Sequence, residues 1–376
     1  MASDLRARLR AIGGASKPVQ SGGLVVRIHE EDVEARLGAL RQSAIERLGY
    51  RGSWPGAHRA LFLDTETTGL SGGAGTIAFM IGFGFLNGNC FRVEQYMMRT
   101  YADEPLLIAK TAEMLEKFDT VVTFNGDNFD LPLLESRFTM CRMRDAWRPL
   151  DRLDLMHPAR RLWKRRLGRC SLDALERQIL RRGRTDDLPG SEAPRRFFEA
   201  MRTGDLAPLE PVLEHNRLDV VALSSLLCAL EEAYSEPGLL TEAADLYSMG
   251  RVLEKRGEHD VARHCYVAAA SPRPLSSIAA LRGEKYQAEA NRAFSMMLRR
   301  AGEWARAERV WLEMVKRKQL GTWPLTELAK YYEHRAARLG DALQMTEIAL
   351  AIANEENREA LCRRKRRLER KLEGNK

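Results

Sequence analysis

The stretch Leu61-Phe62-Leu63-Asp64-Thr65-Glu66-Thr67-Thr68-Gly69 decides how this chain reads. Three apolar residues run into two acids and stop at Thr-Thr-Gly, the pattern of a buried strand that ends at a turn. Residues two apart on a strand project from the same face, so Asp64 and Glu66 leave the strand end together. Two neighbouring carboxylates repel each other and resist burial, and a divalent cation relieves both problems. Taken alone, the pair fits a strand end that is simply wet equally well.

The segments that follow give the strand its company. Gly72-Gly73-Ala74-Gly75 reads as a tight loop. Residues 76–86 are apolar and Gly-spaced, Asn87-Gly88 is a hairpin signal, and residues 90–98 return as a strand. Residues 103–117 form an amphipathic helix with Asp103 as N-cap and Pro105 in the first turn. Thr120-Val121-Val122-Thr123-Phe124 is a short buried strand closed by Asn125-Gly126. A helix then starts near Asn128, with Pro132 in its first turn, where a missing N–H costs little. Residues 148–155 suggest a fifth strand, and residues 208–234 one long helix. This order of elements is mixed α/β. Upstream, residues 1–23 read as a basic mobile arm and residues 50–56 as a Gly- and Pro-containing linker. Residues 30–48 read as a helix through Val33, Leu37, Leu40, Ile45 and Leu48.

From about residue 239 the pattern is helical throughout. Gly257-x4-Ala262-x3-Tyr266 matches Gly302-x4-Ala307-x3-Trp311, and Gly340-Asp341-Ala342 is a weaker third copy. Glycine marks a turn between helices, alanine permits close approach, and the aromatic residue packs one turn later. The offsets suggest stacked helical pairs like tetratricopeptide units. Three divisions result: an N-terminal arm and helix over 1–56, an α/β domain over 57–235, and a helical domain over 239–376.

Composition narrows the class. The net charge is +8, compatible with a polyanionic partner without demanding one. The six cysteines are scattered with no C-x-x-C pair, so free thiols in a reducing compartment are expected. No apolar run approaches the roughly 18 residues that cross a membrane, and the Arg-rich start lacks a signal-peptide core. The expectation is a cytoplasmic protein without a membrane partner.

Two further acids follow the first pair. Asp130 lies in Asn125-Gly126-Asp127-Asn128-Phe129-Asp130, just past a strand end, where sites form in open sheets. Asp127 competes with it as a helix cap, and Asn125 serves a turn or holds a water. His215 and Asp219 share one helix face at i and i+4. Asp154 reads as structural. A basic run, Arg160-Arg161-Leu162-Trp163-Lys164-Arg165-Arg166, continues through Arg169, Arg181, Arg182 and Arg184. It either tracks a phosphate backbone, with Trp163 as a stacking surface, or forms a solvated face. The tail run Arg363-Arg364-Lys365-Arg366-Arg367 reads as a solvated helix end.

At these positions the chain resembles the DEDD exonucleases of the RNase H-like superfamily. Asp64-x-Glu66 matches their first motif, Asn125-Gly126 with Phe129-Asp130 the second, and His215-x3-Asp219 the third. More closely it resembles the bacterial YprB-type group, through His157-Pro158-Ala159-Arg160-Arg161-Leu162-Trp163-Lys164, Asp187-Leu188-Pro189-Gly190 and His215-Asn216-Arg217-Leu218-Asp219. The resemblance implies an α/β RNase H-like mixed sheet with flanking helices, followed by an all-α, TPR-like helical-repeat domain. It implies a hydrolase that cuts nucleic-acid phosphodiester bonds by a two-metal mechanism, as a 3′–5′ exonuclease, with two Mg²⁺ or Mn²⁺ ions. It makes Asp64 the bridging ligand, places Glu66 and Asp219 on the nucleophile-side metal, and has Asp130 act on the second metal through water. His215 would orient or deprotonate the attacking water. Thr67, Asn125, Arg160, Arg161, Trp163 and Lys164 are the expected nucleic-acid contacts. The family's histidine subclass spaces its motif H-x4-D and its tyrosine subclass Y-x3-D, whereas this chain places a histidine at the tyrosine spacing. The competing expectation is a nucleic-acid-binding or scaffold module on a weakly active fold, with the repeats recruiting a protein partner.

Overall fold

A computed structural model describes residues 19–21, 23–32, 34–69, 75–184, 188–271 and 278–374. Residues 1–18 and 22 of the predicted arm, loop residues 72–74 and Asp187 of the second quoted motif lie outside the described residues. The chain divides into two units, Met1–Glu236 and Pro237–Lys376.

Among the described residues seven strands build one mixed sheet in the first unit: β1 (Val19–Ser21), β2 (Leu24–Asp32), β3 (Ala60–Thr67), β4 (Ala78–Asn87), β5 (Cys90–Met97), β6 (Thr120–Thr123) and β7 (Asp151–Asp154). Their order is β1-β2-β5-β4-β3-β6-β7. The β4–β5 hairpin turns at Gly88, whose φ of +60° suits glycine. Strands β3, β6 and β7 run parallel, while β3 is antiparallel to β4. The β3–β6 ladder spans only Ala60–Phe62 against Thr120–Val122, so β3 carries Asp64 and Glu66 beyond its parallel neighbour. Such a change of strand direction opens a crevice at the sheet's edge of order. The expected burial of Leu61, Phe62 and Leu63 holds, at 0–1% exposure.

Among the described residues seven α-helices accompany the sheet: α1 (Gln42–Leu48), α2 (Glu104–Leu115), α3 (Asp130–Met140), α4 (Met156–Leu167), α5 (Leu172–Gln178), α6 (Ala193–Thr203) and α7 (Glu210–Ser235). Gly82 and Gly84 let α7 lie close on the sheet. A Cβ on Gly82 would collide with Asn216 and lie 2.9 Å from Val220, and one on Gly84 would meet Val220 at 2.5 Å.

The N-terminal segment departs from expectation. Residues 30–48 are not one helix: β2 pairs with β5 from Val25/Met97 to Asp32/Cys90, and only residues 42–48 are α-helical. Val25, Val26 and Ile28 favour a strand, and β5 offers a ladder partner that outweighs the helical spacing further on. Val19–Ser21, placed in the arm by sequence, pairs with Leu24–Val26. Two strands therefore precede β3 and widen the sheet.

The second unit holds α8 (Ala243–Lys255), α9 (His259–Ala270), α10 (Ile278–Arg300), α11 (Trp304–Lys316), α12 (Trp323–His334), α13 (Leu339–Ile352) and α14 (Glu355–Glu373). Gly257 and Gly302 sit in the turns before α9 and α11 with φ of +80° and +76°. Ala262, Tyr266, Ala307 and Trp311 are fully buried, as the internal matches require. In the third copy Ala342 is buried, but Gly340 lies inside α13 and the left-handed residue is Ala337. The basic tail run is neutralised within the unit instead of being merely solvated. Arg364, Arg367 and Lys371 all reach the buried Glu333, and Lys365 reaches Glu347.

Candidate metal centre

Strand β3 brings Asp64 and Glu66 to the crevice, with Asp64 opposite Gly82 and Glu66 opposite Met80 on β4. Because Gly82 has no side chain, α7 crosses directly over Asp64. Asn216 on α7 is completely buried and donates from Nδ2 to Asp64 Oδ2 at 2.8 Å. Gln95 on β5 fixes that amide, donating from Nε2 to Asn216 Oδ1 at 2.8 Å and to the Leu213 carbonyl at 2.7 Å. Burial pushes the Asp64 carboxyl well above the usual carboxylate range, followed by the charges of Asp219, Asp130 and Glu66, with the Asn216 bond opposing them.

Asp130 enters from the other side as the first residue of α3. Thr65, which faces away from Asp64 on β3, donates from Oγ1 to Asp130 Oδ1 at 2.5 Å. Burial raises the Asp130 carboxyl to about 6 despite the hydrogen bonds that Thr65 and backbone N–H groups give it. The turn from β6 to α3 is shaped by Asn125, at φ +67°, and by Asp154. Asp154 Oδ1 accepts from the backbone N–H of Asn125 at 2.8 Å and of Met156 at 2.9 Å, which accounts for its structural character.

Asp219 and His215 share one face of α7, with His215 Nε2 3.6 Å from Asp219 Oδ2. Arg184 completes this corner. Its Nη2 lies 2.5 Å from Asp219 Oδ1 and 2.5 Å from Glu176 Oε2, and its Nη1 lies 3.4 Å from His215 Nδ1. The Arg184 side chain is only 8% exposed. Burial works against its charge, but Asp219 and Glu176 outweigh burial and hold it protonated. Arg184 is thus not part of a phosphate-tracking basic surface.

A cavity of about 420 Å³ opens beside Asp64 and Asp130, lined also by Thr65, Thr67, Asn125 and Phe129. The predicted contacts Thr67 and Asn125 are therefore at the site. Arg160, Arg161 and Lys164 are exposed on α4 and are not among the residues lining that cavity. Arg161 also donates to the Leu48 carbonyl. Trp163 requires a correction: it is 3% exposed, because with Ala159 and Leu162 it forms the buried stripe of α4, so it offers no face to a base.

Among the described residues, Asp127, Asp154 and His157 bring ligand atoms within 4.8 Å of one another, and no three of the four expected carboxylates do so. Asn216, Thr65 and Arg184 hold Asp64, Asp130 and Asp219 on separate partners. The donor set nevertheless suits a hard divalent cation. It offers only carboxylate oxygens, and three of those carboxylates raise the fourth through their charge. Sequence reasoning gave Asn216, Gln95 and Arg184 no role at the site, although Asn216 stood in a quoted motif and Arg184 in the basic run. The paired glycines of β4 were the visible sign that a helix would press on this strand.

Residues 61–231 match the model of the RNase_H superfamily. Over 321 residues the chain is 31% identical to the uncharacterized protein YprB of Bacillus subtilis (strain 168), covering 82% of this chain and 74% of that protein. The chain belongs to the YprB family, with an RNase H superfamily domain. Among solved structures, the family B DNA polymerase of Pyrobaculum calidifontis is similar over 64% of this chain and 30% of that one. The identity is 14% and the TM-score 0.38, too low to bear on activity. Among the described residues no helix is long and apolar enough to cross a membrane.

Proposed function

We propose that this protein is a metal-dependent nuclease that hydrolyses nucleic-acid phosphodiester bonds from the 3′ end. The observation that carries the proposal is one cavity lined by Asp64 of β3 and Asp130 of α3, with Glu66 two residues along β3 and Asp219 on α7, whose Asn216 bonds Asp64. An RNase H superfamily domain over the same residues supports it. Two Mg²⁺ or Mn²⁺ ions bound there would supply an activated water and a counter-charge for the leaving oxygen. Asp64, Glu66 and Asp219 would hold these ions, and Asp130 would act on one of them through water. His215, beside Asp219, would orient the attacking water or take its proton. Thr67 and Asn125 position the strand end in the cavity, and Arg160, Arg161 and Lys164 attract the backbone by charge.

The helical unit is a tetratricopeptide-like array that recruits a protein partner. Six cysteines with no disulfide among the described residues suit a reducing compartment, and we place the protein in the cytoplasm. One observation favours the weakly active alternative: Asp219 is engaged by Arg184. Incubation of the full chain with Mn²⁺ and DNA or RNA oligonucleotides labelled at either end tests the proposal. A 3′-shortening ladder, absent with Asp64→Ala and Asp219→Ala, is the expected result. Internal cuts would overturn the exonuclease assignment, and intact oligonucleotides under every condition would overturn the nuclease.

A further inference from the structure

Resting on the metal-dependent reading above, we propose that Arg184 is a built-in counter-ion for Asp219, which a divalent cation must displace before the site assembles. Three observations carry this. First, the guanidinium occupies Asp219 Oδ1 at 2.5 Å and lies against His215, the two α7 residues that face the site. A fixed positive charge there opposes an incoming cation directly. Second, Arg184 has a second anchor, Glu176 Oε2 at 2.5 Å, so leaving Asp219 does not strand the guanidinium without a counter-charge. Glu176 is itself buried, on α5, outside the four-carboxylate set. Third, there is room to retreat. A cavity of about 410 Å³ is lined by Arg184, Glu176, Glu214 and Leu218. Glu214 already feels the Arg184 charge, which contributes to holding its carboxyl below the usual range after the larger effect of Arg217.

In this arrangement Arg184 is a positioning residue. It offsets the Asp219 charge while the site holds no cation, and it sets the cation concentration at which Asp219 becomes a ligand.

Mn²⁺ binding to the full chain, followed by titration calorimetry without nucleic acid, tests the role. Arg184→Gln is expected to tighten the apparent Kd for Mn²⁺ by roughly tenfold or more, because a nearby like charge is removed. Glu176→Gln is expected to weaken it, because Arg184 then loses the carboxylate at 2.5 Å that competes with Asp219 for it. Arg184→Lys, which keeps the charge without the forked donor, should fall between Arg184→Gln and wild type and serves if Arg184→Gln does not fold. Mn²⁺ binding that is abolished by Asp64→Asn but unchanged or weakened by Arg184→Gln would overturn the counter-ion role and leave the metal site standing. Absence of Mn²⁺ binding in every protein would overturn the metal site and the counter-ion role together.

Discussion

Asn216 and Asp64 are 152 residues apart in sequence and 2.8 Å apart in the fold, amide Nδ2 to carboxylate Oδ2. This bond joins the third quoted motif to the first and fixes the height of α7 over β3. Asn216→Ala removes the donor from a half-buried carboxylate and deprives Gln95 of one acceptor. A buried acceptor left short of a donor costs about 1–3 kcal/mol, and urea denaturation should find a loss of that size. A change under about 0.5 kcal/mol, the scale of an ordinary surface substitution, would mean that the bond does not organise the site.

Gly82→Ala probes the same contact from the sheet. Its Cβ would collide with Asn216 and press on Val220, so α7 must shift away from β4. Overpacking of this kind costs about 1–3 kcal/mol. Gly283, within α10, has open space around it, and Gly283→Ala should instead be neutral or stabilising by up to about 1 kcal/mol. Equal effects of the two substitutions on the unfolding midpoint would contradict the packing described.

The raised carboxyls give a pH dependence whose sign is fixed. A carboxyl with a folded pKa above its unfolded value of about 3.9 stabilises the fold below that value. The contribution is lost as pH rises through the folded pKa, about 6 for Asp130 and likewise raised for Asp64. In EDTA, Asp64→Asn should therefore be more stable than wild type at pH 8, with the gap narrowing towards pH 4. Asn at this position still accepts from Asn216. Melting temperatures across this range check the prediction, and identical curves would show that the acids do not repel one another.

Glu333 predicts the opposite slope. Burial alone would raise its carboxyl, but hydrogen bonds from Arg367 and Lys371 outweigh burial and hold it at about 2. Its contribution is present above its ordinary value of 4.5 and is lost as pH falls towards 2. Glu333→Gln should cost up to about 3 kcal/mol at pH 7, reduced by solvent screening of the exposed cations, and progressively less in acid. Unfolding of the full chain monitored at pH 7 and pH 3 measures the difference. A cost that does not shrink in acid would remove charge pairing as its cause.

The parts of the fold that sequence made legible are those with local signals. The strand ending at Asp64, the Asn87-Gly88 hairpin, the short β6, the helix opening at Asp130 and the long α7 all carry their own periodicity or turn residues. The repeat glycines at 257 and 302 show their role directly, since each occupies a left-handed turn. Strand β2 was misread because its partner β5 lies about sixty residues downstream, and a ladder is invisible to a local window. The four acids were singled out by spacing and resemblance, but the groups that hold them were not. Asn216 and Arg184 act through contacts between segments, and neither identity nor spacing announces a buried hydrogen bond or ion pair. Trp163 shows the same limit in reverse: a tryptophan among arginines suggested an exposed platform, yet it belongs to the core face of α4.

The central claim is that carboxylates from β3, α3 and α7 form one cation centre. Isothermal titration of Mn²⁺ into the wild-type chain, in two buffers of different ionisation enthalpy, tests it most directly. The account predicts two ions per chain and net proton release near pH 6, because Asp64 and Asp130 must give up protons to bind. It also predicts that Asp64→Asn removes most of both signals. Absence of binding, or binding that persists in Asp64→Asn with unchanged proton release, would contradict the account.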